Sequence, residues 1–117
     1  MSFNANLALR VRKMLCRKTG FSERKMFGGI CFMLNGHMCS GVLRDDLIMR
    51  VSREDYENSL KQPHTRKFDF TGKPMKGFVV VTPKGYRSEK SFASWMALGI
   101  RCARSMPAKR EKKKRKR

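Results

Sequence analysis

The side chains that could do chemistry here are few, and their spacing excludes most of what such residues do. The histidines are His37 and His64, and the cysteines are Cys16, Cys31, Cys39 and Cys102. No two cysteines are spaced Cys-x-x-Cys, so the zinc and dithiol signatures are missing. Two separated histidines cannot hold a metal without carboxylates that the sequence does not place beside them. No serine or cysteine has a histidine in a recognisable nucleophile–base arrangement. The reading is of no catalytic residue, no metal and no cofactor, with reduced thiols acting as small apolar groups. We expect a protein that is not an enzyme.

Charge is what remains. Lys and Arg total 28 against 9 Asp and Glu, a formal net charge of +19. Residues 107–117 read PAKREKKKRKR and carry +7, which leaves +12 on residues 1–106. A body that basic attracts polyanions, and a solvated surface that keeps the protein soluble is the plainer alternative. In the tail, Lys109, Arg110, Lys112, Lys113, Lys114, Arg115, Lys116 and Arg117 can bind phosphates without reading bases. A second candidate is an anion pocket of His64, Arg66 and Lys76, near Asp69. In the competing reading His64 and Asp69 satisfy loop backbone groups and the cations face solvent. Met26-Phe27-Gly28-Gly29 is read as a bulge or tight packing point, since no helix follows to make a phosphate-cradling loop. The aromatic residues, chiefly Phe27, Phe32, Phe68, Phe70, Phe78, Phe92 and Trp95, are read as core in preference to a base-stacking platform.

The elements that must position these groups follow from periodicity. Leu7, Val11, Met14 and Leu15 share a helical face over residues 4–18, with Asn4 or Asn6 as its cap and Gly20 beyond its end. From Lys25 the period becomes two. Asn35-Gly36 marks a hairpin that would pair Leu34 with His37, Phe32 with Cys39 and Cys31 with Ser40. Arg44-Asp45-Asp46 turns into a third strand, residues 47–51. Ser52 caps a helix over 53–61, Phe68 and Phe70 mark a fourth strand, and Gly77–Thr82 forms a fifth. A last helix over 88–105 carries Phe92, Trp95, Met96, Gly99, Ile100 and Ala103 on one face. The order is α-β-β-β-α-β-β-α. It predicts an α+β two-layer sandwich, a five-stranded antiparallel sheet with helices on one face. Residues 1–107 form one domain, and 108–117 are too charged to fold alone.

Lys25-Met-Phe-Gly-Gly29, Asn35-Gly-x-Met-Cys39 with Gly41-Val42, Asp46-Leu-x-Met-Arg-Val51, Pro63-His64, the run Phe68 to Phe78 and Trp95 resemble the TfoX N-terminal domain family. The resemblance covers about Leu9 to Ala108, in the family's order. It implies a link to regulators of natural competence that act with a cyclic-AMP receptor protein at promoters. Those regulators add a helical C-terminal domain for which this chain has no room, so it resembles the stand-alone form.

The functional expectation is a cytoplasmic bacterial module touching nucleic acid non-specifically through its charge, as an accessory to transcription or competence. A protein partner such as a transcription regulator is compatible with it. The alternative is a protein-binding adaptor of secretion-chaperone-like fold, with a homodimer as one form. No membrane is expected, since no apolar stretch approaches the ~20 residues a bilayer requires.

Overall fold

The computed structural model describes residues 3–26, 28–69 and 77–106. Helix α1 (Ala5–Leu15) begins where the Asn4 side chain accepts a hydrogen bond from the backbone N–H of Leu7, at 3.0 Å. That bond satisfies one of the donors a helix start leaves free. Leu7, Ala8, Val11 and Leu15 are buried, whereas Met14 is exposed. The buried face centres on positions 8, 11 and 15, which leaves Met14 at its margin despite its helical spacing.

The sheet is open and wholly antiparallel, with six strands where the periodicity suggests five. They are β1 (Phe21–Met26), β2 (Gly29–Leu34), β3 (His37–Leu43), β4 (Asp46–Arg50), β5 (Thr65–Lys67) and β6 (Phe78–Val81). Their order in space is β1-β2-β3-β4-β6-β5. The unexpected strand is β1. It lies at the sheet edge, where Ser22, Glu23, Arg24 and Lys25 are all exposed, so no apolar alternation announces it. Charged side chains on such an edge also discourage pairing with a second chain. The strand expected around Phe68 and Phe70 sits earlier, at Thr65–Lys67, and Phe70 lies outside the described residues.

Three turns fix the meander. Asn35 and Gly36 both take positive φ, 53° and 83°, as a two-residue turn of matching twist requires. Arg44, with φ 55°, turns β3 into β4. Gly28, with φ 78°, lies between β1 and β2, and Gly29 packs against the Val42 carbonyl so closely that a Cβ has no space. The glycine pair is therefore a packing point. The β2–β3 register departs from the expected one after the first pairs. Leu34 opposes His37 and Met33 opposes Met38, but Phe32 then opposes Ser40 and Cys31 opposes Gly41. Cys39 is the extra residue of a β-bulge, which bends the strand and turns that side chain into the core. Cys31 is not in that core cluster, and the four cysteines are free.

Helices α2 (Arg53–Leu60), α3 (Pro83–Tyr86) and α4 (Glu89–Arg104) complete the layer. Ser52 and Ser88 cap α2 and α4 through the N–H groups of Asp55 and Ser91. The single turn α3 was readable only as a loop, because Pro83-Lys-Gly85 looks like a turn. Buried residues of all four helices join one cluster with Phe32, Leu47, Met49, Val79 and Val81, so the helices share one sheet face. Each such large apolar side chain contributes ~1.5–3 kcal/mol, whereas an exposed ion pair contributes ~0–1 kcal/mol. The core decides stability.

At its centre α4 crosses the bulge. A Cβ on Gly99 would lie 2.5 Å from Met49 Cε and 2.6 Å from the Cys39 carbonyl oxygen. The second neighbour is backbone and cannot swing aside. Gly99→Ala should therefore destabilise despite its better helix propensity, by about 1–3 kcal/mol. The thermal midpoint should fall by about 4–8 °C per kcal/mol. A melting curve unchanged or raised by the substitution would show that α4 sits farther from β3.

Candidate anion-binding surfaces

Four ion pairs join the described residues: Arg10–Glu89 at 2.9 Å, Arg12–Glu23, Arg66–Asp46 at 2.9 Å and Arg101–Asp55 at 3.0 Å. Each ties separate elements together. Arg10 is the most built in: its guanidinium lies 4.2 Å from the Phe92 ring centroid and donates to the Tyr86 carbonyl at 3.2 Å. It thereby clamps α1 to α3 and α4. Hydrogen bonding by Arg12 holds the Glu23 carboxyl below its ordinary range, and Arg101, then Ser52, does the same to Asp55. Stability from a carboxylate so depressed is present above its unfolded pKa and is lost as pH falls through the folded one. The exposure of Arg101 keeps its share small.

Each pair takes one acid and one cation, and the chain has far more cations than acids, 28 against 9. Lys13, Arg17, Lys18, Arg24 and Lys25 run from the last turn of α1 along the edge strand β1. None of them enters the four ion pairs, and the one acid of that stretch, Glu23, is already held by Arg12. All but Lys18 are exposed, and Lys18 is half-buried. This border of the sheet gathers five cations that stand outside those ion pairs. Sequence reading registered the charge without locating it, because its position depends on β1 lying at the edge.

Of the expected pocket of His64, Arg66 and Lys76, the described residues place His64 and Arg66 in different surroundings. Arg66 points to the open sheet face and pairs with Asp46. His64 lies at a groove between α2 and α4, with Lys84 and Lys90 instead of Arg66. Lys76 and the eight tail cations, Lys109 to Arg117, lie outside the described residues. The backbone of His64 is held in the left-handed region, φ 65°, by hydrogen bonds to its carbonyl from the Thr82 N–H (2.9 Å) and hydroxyl (3.1 Å). Gly85 permits this approach, since a Cβ there would meet Val81 at 2.7 Å and His64 Cβ at 3.2 Å.

Among the described residues no cluster of histidine, cysteine and carboxylate could hold a metal, and no helix is long and apolar enough to cross a membrane. Phe32, Phe92 and Trp95 are core, as their spacing implies. Phe68 and Phe78 instead form a ring pair, 6.1 Å apart, beyond the core cluster.

A two-layer α+β domain with an open antiparallel sheet, its helices on one face and a cationic border is thus the class of protein defined here. The TfoX N-terminal domain model matches residues 13–103, from the last turn of α1 to the last turn of α4. The chain belongs to that family. No curated protein and no solved structure gives a significant match.

Burial pushes the Cys39 thiol up to about 12 and raises Cys31 and Cys102 in the same direction. At neutral pH all three keep their protons and are poor nucleophiles. The unfolded chain releases the Cys39 proton near 9.0 while the folded one retains it, so stability falls as pH rises from there toward about 12. Cys16 is exposed. A short iodoacetamide pulse on the native protein at neutral pH should alkylate Cys16 and spare the other three. Peptide mass spectra with Cys39 or Cys102 labelled as fast as Cys16 would contradict the packing.

Proposed function

We propose that this chain is a non-enzymatic accessory domain that contacts nucleic acid without reading its sequence, in the service of transcription or competence in a bacterial cytoplasm. The observation that carries the reading is the row Lys13, Arg17, Lys18, Arg24 and Lys25 at the β1 border, left without acidic partners in the four ion pairs. A border of this kind suits a phosphate backbone, which repeats charge along a line. The sequence adds eight cations in the last nine residues. Together they supply electrostatic affinity and no contact to base edges, so affinity would be similar for unrelated sequences. The family's competence regulators supply the biological setting.

A protein-binding adaptor, as monomer or homodimer, is the second reading. It is favoured by Leu9 and Met14, large apolar side chains left exposed on α1, 45% and 38%. Affinity that persists through nuclease treatment and high salt would select it.

Deleting residues 108–117 tests the leading proposal. If the tail engages about four to six phosphates, the slope of log affinity against log salt becomes shallower by about 4–5 units. The shortened chain keeps weak binding at low salt through the β1 border, and adding Arg24→Glu and Lys25→Glu weakens that remainder. Equal affinity and slope before and after deletion would make the tail a bystander and favour the adaptor.

A further inference from the structure

The groove between α2 and α4 offers chemistry that the cationic border does not use. It encloses about 550 Å³, within the range of small-ligand sites. Its sides come from the last turns of α2 and the first turns of α4, and α3 closes one end. Helix α1 packs on β2 and β3, whereas α2 packs on β5 and β6, so the groove lies across α4 from the β1 border.

Residues that carry hydrogen-bond donors line it from separate elements: Asn58 from α2, His64 from the loop before β5, Lys84 from α3, and Lys90 and Ser94 from α4. No hydrogen bond or ion pair among the described residues engages these five side chains. The acid at the groove, Asp55, is already occupied by Arg101 and the Ser52 hydroxyl, each at 3.0 Å. Residues bearing two ammonium groups, an imidazole, an amide and a hydroxyl thus line a space whose carboxylate is satisfied. The floor is different. Trp95 and Leu98 line it, and Trp95 is 8% exposed. Cations and neutral donors around an apolar floor suit a compact, doubly charged anion on a small carbon skeleton.

We propose that this groove binds a small phosphate monoester, its phosphate held by Lys84 and Lys90 and its organic part resting on Trp95. His64, locked in place through its backbone, Asn58 and Ser94 orient the phosphate and the ligand's hydroxyls. The site stands apart from the nucleic-acid reading, since its residues are not those of the border or tail.

Trp95 is the chain's single tryptophan, so its emission reports the groove directly. The full chain is titrated with inorganic phosphate and with glycerol phosphate at constant ionic strength, following Trp95 fluorescence and backbone amide shifts. The expected result is a saturable response, tighter for glycerol phosphate, with shifts at Lys84, Ser91 and Ser94. Lys84→Ala with Lys90→Ala should weaken it about tenfold or more. The melting temperature should stay unchanged, because both lysines are exposed. Arg17→Ala with Arg24→Ala at the border should leave it intact. No saturable response, or one lost equally in both double variants, overturns the proposal. So does a response produced only by DNA or RNA, which would assign the groove to a polynucleotide.

Discussion

The structure turns on the distance between α4 and β3. Gly99 meets the Cys39 carbonyl where the bulge lifts β3 toward the helix, and no side chain fits between them. That contact sets the height of α4 above the sheet, and the rest of the layer follows from it. Met96, Ala103 and Phe92 reach the core from the same helix, and Arg10 braces α1 against its first turn. A bulge and a glycine are each small losses when isolated. The bulge leaves a residue without a ladder partner, and glycine lowers helix propensity by ~1 kcal/mol. They offset each other here because the space each leaves is filled by the other.

Much of this was legible in residue order, and the failures have physical causes. Asn35-Gly36 announced its hairpin because both positions need positive φ, and Ser52 and Ser88 announced their helices because a hydroxyl satisfies free N–H groups. The bulge was not readable: pairing Phe32 with Cys39 is as good by pattern as pairing it with Ser40, and only α4 above distinguishes them. Strand β1 escaped because an edge strand need not alternate, and α3 because one turn containing proline and glycine looks like a loop. Charge was legible in amount and not in place. The pocket drawn from nearby sequence positions joined His64 to Arg66, but His64 sits in a left-handed turn before β5 while Arg66 is on the strand, so the two reach different surroundings. Lys84 and Lys90 come from beyond β6, and only the helix layer folded over the sheet brings them to His64.

The division of labour within the molecule is between a nearly uncharged interior and a surface poor in acids. Four of the acids join elements: Glu23 ties β1 to α1, Asp46 ties β4 to β5, Asp55 ties α2 to α4 and Glu89 ties α4 to α1. Each bridge adds little stability in water. At the α1–β1 border the one acid, Glu23, is engaged by Arg12, and Lys13, Arg17, Lys18, Arg24 and Lys25 stand outside the ion pairs. Mutual repulsion among those cations opposes folding, and the core tolerates it. Under the proposed function, an anionic partner would supply the missing charge.

The direct test of that claim is a map of contact on the full chain. Backbone amide spectra are recorded during titration with a short DNA duplex of arbitrary sequence, first at low and then at raised salt. Perturbations should concentrate over residues 13–25 and fade together as salt rises. Perturbations absent there, or centred on the exposed Leu9 and Met14 and indifferent to salt, would contradict it.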